Sequence, residues 1–428
     1  MKLKLMLLAC AFSILGKVQA QEAVTYTLEH CRSMALQQNK KIQAAQHQVD
    51  AAKAAQKSVA ANAYPSLNGS ITGVHLGSPL GGGLNGMIPE NMASGMVNAA
   101  LPLYAGGKIK NSKAAAAKGV EISEEQKKLT TSDVLLQTEK AYWQVVQVKE
   151  KIVLADKFIV MLESLVRDLQ NSFDAGLIYK NDLLRVQVNL NEAKLNKTKA
   201  EDGLLLAKLN LAQVMGKPGD YNFTLADSVS GNFRAVENLS LETAAENRSV
   251  IRLLHKALEI QELQKKILQG DRLPTVAVSA IGMGAAGKAV NLEDGSNSML
   301  TYVGLASINI PIFDWGGKAN KVKEQSFKIA AQQMQLNETR ELLNLEIQNA
   351  YLQLNQSVKK IASTELSLAQ AVENLRLAED RLEAGTIVGK DVLEAQAIWQ
   401  QAYNSVIDAR IEYKINESNY KKAIGELK

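Results

Sequence analysis

The residues in this chain whose types could perform chemistry do not have the spacing of a catalytic site. The histidines lack metal-ligand spacing; they are His30, His47, His75 and His255. The run Gly282–Gly287 matches the glycine pattern of dinucleotide-binding loops, but residues 291–298 read as loop where that motif requires a helix. The sequence contains no nucleophile motif and no phosphate loop. We therefore predict that the protein is not an enzyme and binds neither a metal ion nor a cofactor.

The sequence contains an internal repeat whose two copies lie 209 residues apart. The recurring pairs are Pro65 and Pro274, Pro102 and Pro311, Tyr142 and Tyr351, Gly176 and Gly385, and Asp182 and Asp391. Leu101–Lys108 also matches Ile310–Lys318, with one extra residue in the second copy. A long-period repeat indicates one structural unit used twice. We predict a first repeat over residues 21–215, a linker over 216–240 and a second repeat over 241–428.

The amino terminus has the pattern of a secretory signal. Lys2 and Lys4 precede an apolar core, and small residues before Gln21 form a cleavage site, so we expect residues 1–20 to be removed. Lipidation at Cys10 is the alternative. Without three signal lysines the formal charge of +5 falls to +2, which gives no basis for nucleic-acid binding. Cys31 then stands alone, so we expect no internal disulfide.

Four segments are predicted to be strands that cross a membrane. They cover residues 67–76, 96–104, 275–284 and 300–310 and contain no charged residue. A length of about ten residues suits a tilted strand of a transmembrane barrel. Aromatic residues lie at or near the strand ends, where interfacial girdles occur: Tyr64, Tyr104, Tyr302, Phe313 and Trp315. The alternative is a soluble hairpin domain with small-residue strands.

Four strands are too few to close a barrel, because single-chain barrels begin at about eight strands. Open sheet edges are not tolerated in lipid, since each unpaired backbone group costs several kcal/mol. We therefore expect copies of the chain to share one barrel. Two copies would supply eight strands and three would supply twelve.

The rest of the chain is predicted to be helical. No proline occurs in residues 103–217 or 312–428. Long helices are expected over 108–172, 182–215, 318–383 and 391–427, after a helix near Leu28–Asn62 that opens the first repeat. Apolar residues from Val145 to Phe173 follow heptad spacing, which predicts a narrow coiled-coil seam. Helix breaks are expected at 174–176 and 383–385, where glycine suits a left-handed cap.

In these features the chain resembles the TolC-like outer-membrane efflux protein family. The resemblance rests on the repeat, the apolar-Pro-apolar-aromatic segment before Gly-Gly, and the Ala-Gly turn followed by Asp-Val-Leu-Glu-Ala. It implies a mainly α fold with a small β part, in which a trimer forms a twelve-stranded transmembrane barrel and long helices form a coiled-coil α-barrel. The implied location is the outer membrane of a Gram-negative bacterium, with a long periplasmic extension.

The resemblance also implies partners and site residues. The expected partners are two further copies of the chain, outer-membrane lipid, a periplasmic adaptor protein and an inner-membrane pump. Acidic residues that ring the periplasmic aperture in the family correspond to Asp391 and Glu394, although the same pattern also fits a helix-start cap. Expected adaptor-docking positions at the helix turns are Phe173, Ala175, Gly176, Leu177, Leu382, Ala384, Gly385 and Thr386.

One part of the family pattern is absent. A tyrosine and an arginine that latch the aperture in some members correspond here to Leu382 and Ile387, which cannot form such a latch. For Leu382 we expect packing in the seam instead. The predicted function is a passive exit duct for efflux or type I secretion. The alternative is a soluble periplasmic coiled-coil scaffold with no membrane span.

Overall fold

The computed structural model describes residues 24–75, 77, 91–236, 245–246, 248–288, 290–291 and 293–427. The expected signal segment 1–20 and the alternative lipidation site Cys10 lie outside these residues. The first repeat comprises β1 (Val24–Tyr26), α1 (Leu28–Gln38), α2 (Lys40–Ala61), β2 (Ser66–His75), β3 (Asn91–Ala105), α3 (Lys108–Asp174) and α4 (Lys180–Met215). After β4 (Phe223–Leu225), the second repeat comprises α5 (Ser249–Gly270), β5 (Thr275–Gly287), β6 (Ser298–Asn309), α6 (Gly317–Glu383) and α7 (Gly389–Ala423).

The chain divides into two compact units. The first, which we call the hairpin unit, comprises Met1–Asn39, Val134–Val236 and Gln353–Asn419. The second, which we call the sheet unit, comprises Lys40–Asp133, Glu237–Leu352 and Tyr420–Lys428. The sheet unit carries β2, β3, β5 and β6, whereas the hairpin unit carries the turns that connect α3 to α4 and α6 to α7.

The long helices α3 and α6 are equivalent under the repeat. Each contains 67 residues, and each begins and ends at positions that differ by the repeat period. Their length follows from the absence of proline, which would remove a backbone donor and clash with the preceding turn. At the carboxyl terminus α7 ends at Ala423, four residues before the expected end. The amide of Glu426 turns back to the carbonyl of Lys421 at 2.8 Å and closes that helix.

The buried face of α3 is wider than the expected heptad seam. Seam residues such as Leu162 and Leu169 are buried, but so are Leu154, Phe158 and Leu165, which lie outside the seam positions. The narrow-seam expectation was therefore wrong for this helix. Because α3 packs against more than one neighbouring segment in the hairpin unit, it buries a broad apolar stripe of the kind found in globular proteins.

The helix expected over residues 28–62 is broken at Asn39. This residue adopts an extended backbone (ψ 127), and its Nδ2 donates to the carbonyl of Val214 at 2.6 Å. The second repeat has the same joint one period later, where Arg248 Nη1 donates to the carbonyl of Ala423 at 2.6 Å. Each repeat thus satisfies a carbonyl in the last turn of its final helix with the side chain of the residue directly before α2 or α5.

The core of the hairpin unit also holds polar groups that fix the linker. The hydroxyl of Tyr142, which is fully buried, donates to Asp227 Oδ2 at 2.6 Å. Burial and the Asp227 carboxylate raise the pKa of Tyr142. The same causes, burial first, raise the pKa of the neighbouring Cys31 thiol to about 12. Asp227 follows β4, which pairs in parallel with β1, so this bond holds the inter-repeat segment on the core.

The sheet unit contains a four-stranded antiparallel sheet in the order β2-β3-β5-β6. Strand β3 begins at Asn91, five residues before the expected start, because its first residues pair on both sides: Asn91 with His75 and Met92 with Gly287. Strand β5 extends to Gly287, three residues beyond the expected end. Pro65 and Pro274 each precede a strand, which is a position where proline removes no ladder hydrogen bond.

Within the part of the chain that the structure describes, the helices are not apolar over a stretch long enough to cross a membrane.

Candidate functional site

The candidate site lies in the hairpin unit, at the two helix turns. The first turn follows α3 and the second follows α6, and both are closed by the same backbone pattern. In the first, Gly176 N donates to Phe173 O at 2.8 Å, and in the second Gly385 N donates to Leu382 O at 2.9 Å. The two glycines have φ of 73° and 70°. Positive φ favours glycine because it lacks a Cβ, so both helices end in the glycine cap that the sequence predicts.

The side chains of the first turn are presented to the surface. Leu177 and Tyr179 are 77% and 82% exposed. Ala175 and Gly176 are exposed as well, whereas Phe173 is half-buried at the end of α3. The first turn therefore offers an exposed apolar edge that the single chain leaves uncovered.

In the second turn, Leu382 and Ile387 are half-buried and pack against an apolar cluster that includes Leu162, Leu169 and Leu183. This packing agrees with the expectation for Leu382. By contrast, Ala384, Gly385 and Thr386 are exposed. The positions that correspond to the family's latch residues are thus packed against the core of the hairpin unit.

Asp391 caps the start of α7. Its Oδ2 accepts a hydrogen bond from Val388 N at 3.3 Å, and its own amide donates to Val388 O at 3.0 Å. A carboxylate in the first turn of a helix is also favoured by the helix dipole. Asp391 therefore caps the start of α7, but from a position inside the helix, because the helix begins at Gly389, two residues before the expected start at residue 391. Its side chain is exposed.

Glu394 lies one turn after Asp391 and is exposed. Both carboxylates line a groove of about 500 Å³ between α6 and α7, and Arg381 from the last turn of α6 lines it too. No side-chain hydrogen bond or ion pair joins Arg381 to the carboxylates among the described residues. The groove therefore carries two negative groups and one positive group near its end. The sequence places Arg381 in the expected docking tip 381–386 but does not assign it to the carboxylate site, although its position in the last helical turn, ten residues before Asp391, was a usable signal.

The groove continues along the same two helices. A second part of about 760 Å³ shares Asn374, Glu394 and Ile398 with the first. We call the whole depression the second-repeat groove. Small and polar residues form much of it: Ser367, Ala371, Asn374, Ala378 and Ala395.

Close packing at Gly389 joins the two turns. A Cβ added to this glycine would lie 2.7 Å from both Leu169 Cδ1 and Leu169 Cδ2. The first residue of α7 therefore lies directly against the side chain of Leu169 near the end of α3. In the first repeat the equivalent position is Lys180, so this contact exists in one repeat and has no counterpart in the other.

The aromatic residues expected at a membrane interface lie in the sheet unit and are exposed. Tyr64 is 69% exposed, Tyr104 47%, Tyr302 88%, Phe313 73% and Trp315 89%. The rings of Phe313 and Trp315 pack edge to face with centroids 4.9 Å apart. Among the described residues, no group of histidine, cysteine and carboxylate side chains is arranged to hold a metal ion.

Comparison with known proteins places these features in context. The model of the family described as outer membrane efflux protein matches residues 31–217 and again 240–426, and the two matches are offset by the repeat period. Outer membrane protein TolC of Escherichia coli K12 is 26% identical over 286 residues, which cover 62% of this chain and 56% of TolC. The alkaline protease secretion protein AprF of Pseudomonas aeruginosa is 21% identical over 304 residues, covering 68% of this chain and 61% of AprF. The chain therefore aligns with little more than half the length of these relatives.

Among solved structures, CusC superimposes with a TM-score of 0.80 at 18% identity, covering 97% of this chain and 96% of that one. CmeC of Campylobacter jejuni, described as an outer membrane channel, gives 0.79 at 18% identity, covering 93% and 85%. At such identities the likeness establishes the fold: mainly helical, with two repeats.

Proposed function

Because the chain belongs to the outer membrane efflux protein family, we propose that it is an exit duct in the outer membrane of a Gram-negative bacterium. It serves a tripartite efflux system or a type I secretion system. The observation that carries this proposal is that the two family matches fall on the two structural repeats, each with one strand hairpin and one helix hairpin. The name of AprF, a protease secretion protein, supports the secretion alternative.

The working unit that we propose is a homotrimer. Each chain supplies a sheet of four strands whose outer members are largely exposed, and open strand edges are not stable in lipid. Three chains would combine their sheets into one twelve-stranded barrel. Exposed aromatic side chains, such as Tyr64 and Tyr302, would then lie in the interfacial regions of the outer membrane.

Transport through this duct is passive. A periplasmic adaptor protein and an inner-membrane pump would supply the energy and open the periplasmic end. The adaptor would dock on the turns, through exposed residues such as Leu177 and Thr386, and on the α6 wall of the second-repeat groove, at Asn374 and Ala378. This arrangement leaves the carboxylates on the α7 wall free to face the axis. A helix of the partner suits such a groove, because apolar side chains can enter between two helices.

Asp391 and Glu394 would form the charged ring of the aperture. Three copies bring these carboxylates around one axis, where like charges create a concentrated negative potential that attracts cations and repels anions. The equivalent residues of the first repeat are Asp182 and Arg185, whose formal charges cancel. Selectivity therefore depends on the second turn and only weakly on the first.

The decisive experiment measures single-channel conductance of the purified protein in a planar bilayer. The unmodified duct should conduct and prefer cations, and the double variant Asp391→Asn/Glu394→Gln should lose most of that preference. The matched control is the double variant Asp182→Asn/Arg185→Gln in the first repeat, which removes one charge of each sign and should keep the cation preference. Arg381→Gln should increase it, because a positive group near the ring is removed.

Two results would contradict parts of this proposal. Absence of conductance, together with recovery of the protein in a soluble periplasmic extract, would exclude a membrane duct and favour a periplasmic scaffold. Normal conductance with unchanged selectivity in the double variant would leave the duct in place and exclude Asp391 and Glu394 as the selective ring.

A further inference from the structure

The two faces of the four-stranded sheet differ in composition. In the paired registers, even-numbered residues of β2 and of β3 up to Ala100 share one face with odd-numbered residues of β5 and β6. Away from the strand ends, the opposite face carries only glycine, alanine, aliphatic side chains and Tyr302. In a transmembrane barrel such an apolar face lies against lipid, and the other face lines the lumen. We call that other face the lumen face, and it carries polar side chains in all four strands: Asn68, Ser70, Thr72, Ser94, Asn98, Ser279 and Thr301.

Four methionines also lie on the lumen face. They are Met92 and Met96 of β3, Met283 of β5 and Met299 of β6. Met96 is directly opposite Met283. Met299 is opposite Ala285, two residues along β5 from Met283, and such diagonal partners remain within reach of long side chains. Three thioethers can therefore converge, and Met92 follows four residues from Met96, towards the end of β3 that is farther from α3.

The methionines are confined to this face. Within the described strands none lies on the opposite face, where leucine, isoleucine and valine supply the large apolar side chains. Those residues could make an apolar contact as well, whereas the property that distinguishes methionine is its polarisable sulfur. Met96 and Met283 are 42% and 38% exposed. Their sulfurs are therefore accessible to a solute in the lumen.

The chemistry of the sulfur indicates which solute it would bind. Thioether sulfur is a soft, uncharged ligand of the kind that selects Cu(I), whereas Mg²⁺ and Ca²⁺ require oxygen ligands such as carboxylates. The four strands contain no carboxylate, lysine or arginine, so they offer hard cations no charged ligand. We propose that the lumen face binds soft monovalent cations, Cu(I) or Ag(I), through Met96, Met283 and Met299.

This site rests on the proposed duct and names a class of substrate for it. The proposed ring of Asp391 and Glu394 would attract cations of any kind, and the thioethers add a preference among them. A soft ion is here cargo that the lumen binds and releases. Conduction requires a site that the ion can also leave, and uncharged ligands suit this requirement. Met92 offers the next sulfur along the same face.

Titration calorimetry of the purified protein in detergent with silver nitrate tests the site. Ag(I) is the probe because it is soft and monovalent, and the buffer contains no chloride because silver chloride precipitates. The unmodified protein should bind Ag(I) in a phase that the variant Met96→Leu/Met283→Leu/Met299→Leu loses. Leucine is close to methionine in volume, so this variant should fold.

The matched control is Met161→Leu/Met334→Leu, which removes two methionines of α3 and α6 and should keep the binding phase. Cys31 is present in all three proteins, is buried, and has its thiol pKa raised to about 12. Its contribution to Ag(I) binding is therefore small and common to the comparison. Equal binding by the triple variant and the unmodified protein would overturn the site.

A footprint on the unmodified protein makes the test independent of any effect of substitution on folding. Hydrogen peroxide oxidises accessible methionine to the sulfoxide, and mass spectrometry measures the extent for each residue. Ag(I) should slow the oxidation of Met96, Met283 and Met299 and leave that of Met334, which is 63% exposed, unchanged. If Ag(I) gives no protection but an apolar solute does, the methionines form an apolar contact surface and the inference is wrong.

Single-channel conductance separates failure of this site from failure of the duct. In sodium nitrate, added Ag(I) should reduce the Na⁺ current through the unmodified protein and through the Met161→Leu/Met334→Leu control, and the triple variant should lose this block. If the protein conducts but Ag(I) blocks all three proteins equally or none of them, the methionine site is wrong and the duct stands. If the protein does not conduct, yet the triple variant loses Ag(I) binding, the methionine site stands and the proposed duct fails.

Discussion

The two helix hairpins have the same backbone pattern at their turns but differ in the side chains packed between their helices. In the first hairpin, between α3 and α4, four large apolar residues of α3 are buried: Phe158, Leu162, Leu165 and Leu169. One repeat period later, in α6, the same positions hold Ser367, Ala371, Asn374 and Ala378. The first set packs on Leu183 and Val186 of α4, whereas the second set lines the second-repeat groove.

This difference shows how a duplicated unit acquires two roles. Closely similar caps hold both turns, so the backbone is not what distinguishes them. Replacing large apolar side chains by small ones removes volume that a helix pair recovers only in part by moving together. The large buried side chains of the first hairpin therefore stabilise the fold, whereas the small ones of the second leave an open surface beside Asp391 and Glu394.

The largest expected effect is that of Leu162→Ala, which introduces into the first hairpin the residue that the second already has. Leu162 is fully buried, so the variant should lose about 2 to 5 kcal/mol of unfolding free energy. Denaturant unfolding of the purified protein in detergent measures it. The control is Leu366→Ala, a position of α6 that is 63% exposed and should change stability by about 0.5 kcal/mol or less. Equal losses would mean that the hairpins do not differ in packing.

Gly389→Ala tests the contact that holds the second turn on the first. The added Cβ would overlap the Leu169 side chain, whose two methyl carbons lie 2.7 Å from its position, and overpacking of this kind costs about 1 to 3 kcal/mol. The matched control is Lys180→Ala at the equivalent position of the first repeat, which should be nearly neutral. Adding Leu169→Ala should make the double variant less destabilised than the sum of the single variants. Strict additivity would show that the overlap is relieved elsewhere.

Much of the fold can be predicted from the sequence because the repeat and the periodicity are strong signals. The long helices follow from two proline-free stretches, and the turn glycines follow from the need for a left-handed cap. The break at Asn39 could not be predicted, because it depends on a hydrogen bond to the carbonyl of Val214, 175 residues away. Local pattern favours a continuous helix there, and a long-range contact overrides it.

The candidate site was predictable in its charges and not in its shape. Asp391 and Glu394 follow the glycine turn in the sequence, and both are exposed in the structure; their role at an aperture stays a prediction. The groove could not be predicted, because it arises where Ala371 and Ala378 take the places of the leucines one repeat period earlier. These replacements indicate a groove only once the packing of the first hairpin is known. The place of Arg381 beside the carboxylates could not be predicted for the same reason, because it depends on the fold of the turn.

At the two turn glycines the repeats have the same backbone conformation, so equivalent substitutions there should have equal effects on the unfolding free energy. Gly176→Ala and Gly385→Ala each introduce a Cβ at positive φ, and no other atoms lie within 4 Å of either Cβ position. The cost is then purely that of the backbone, about 1 to 2 kcal/mol for each. Unfolding of both variants under identical conditions measures it. A difference well above 1 kcal/mol between them would show that the turns are held by different interactions.

The smallest effect on stability should come from Ala378→Leu, which restores to the second hairpin the leucine that the first has at position 169. Because Ala378 lines an open groove, the larger side chain has room and should change the unfolding free energy by about 0.5 kcal/mol or less. Export should nevertheless fall, since the leucine occupies the space proposed for the adaptor. Co-purification with the adaptor protein and export in whole cells measure this effect. Val372→Leu, on the same helix at a position 48% exposed and outside the groove, should leave both unchanged. If Ala378→Leu binds the adaptor normally, the groove is not a docking site, and the adaptor must bind the exposed turns.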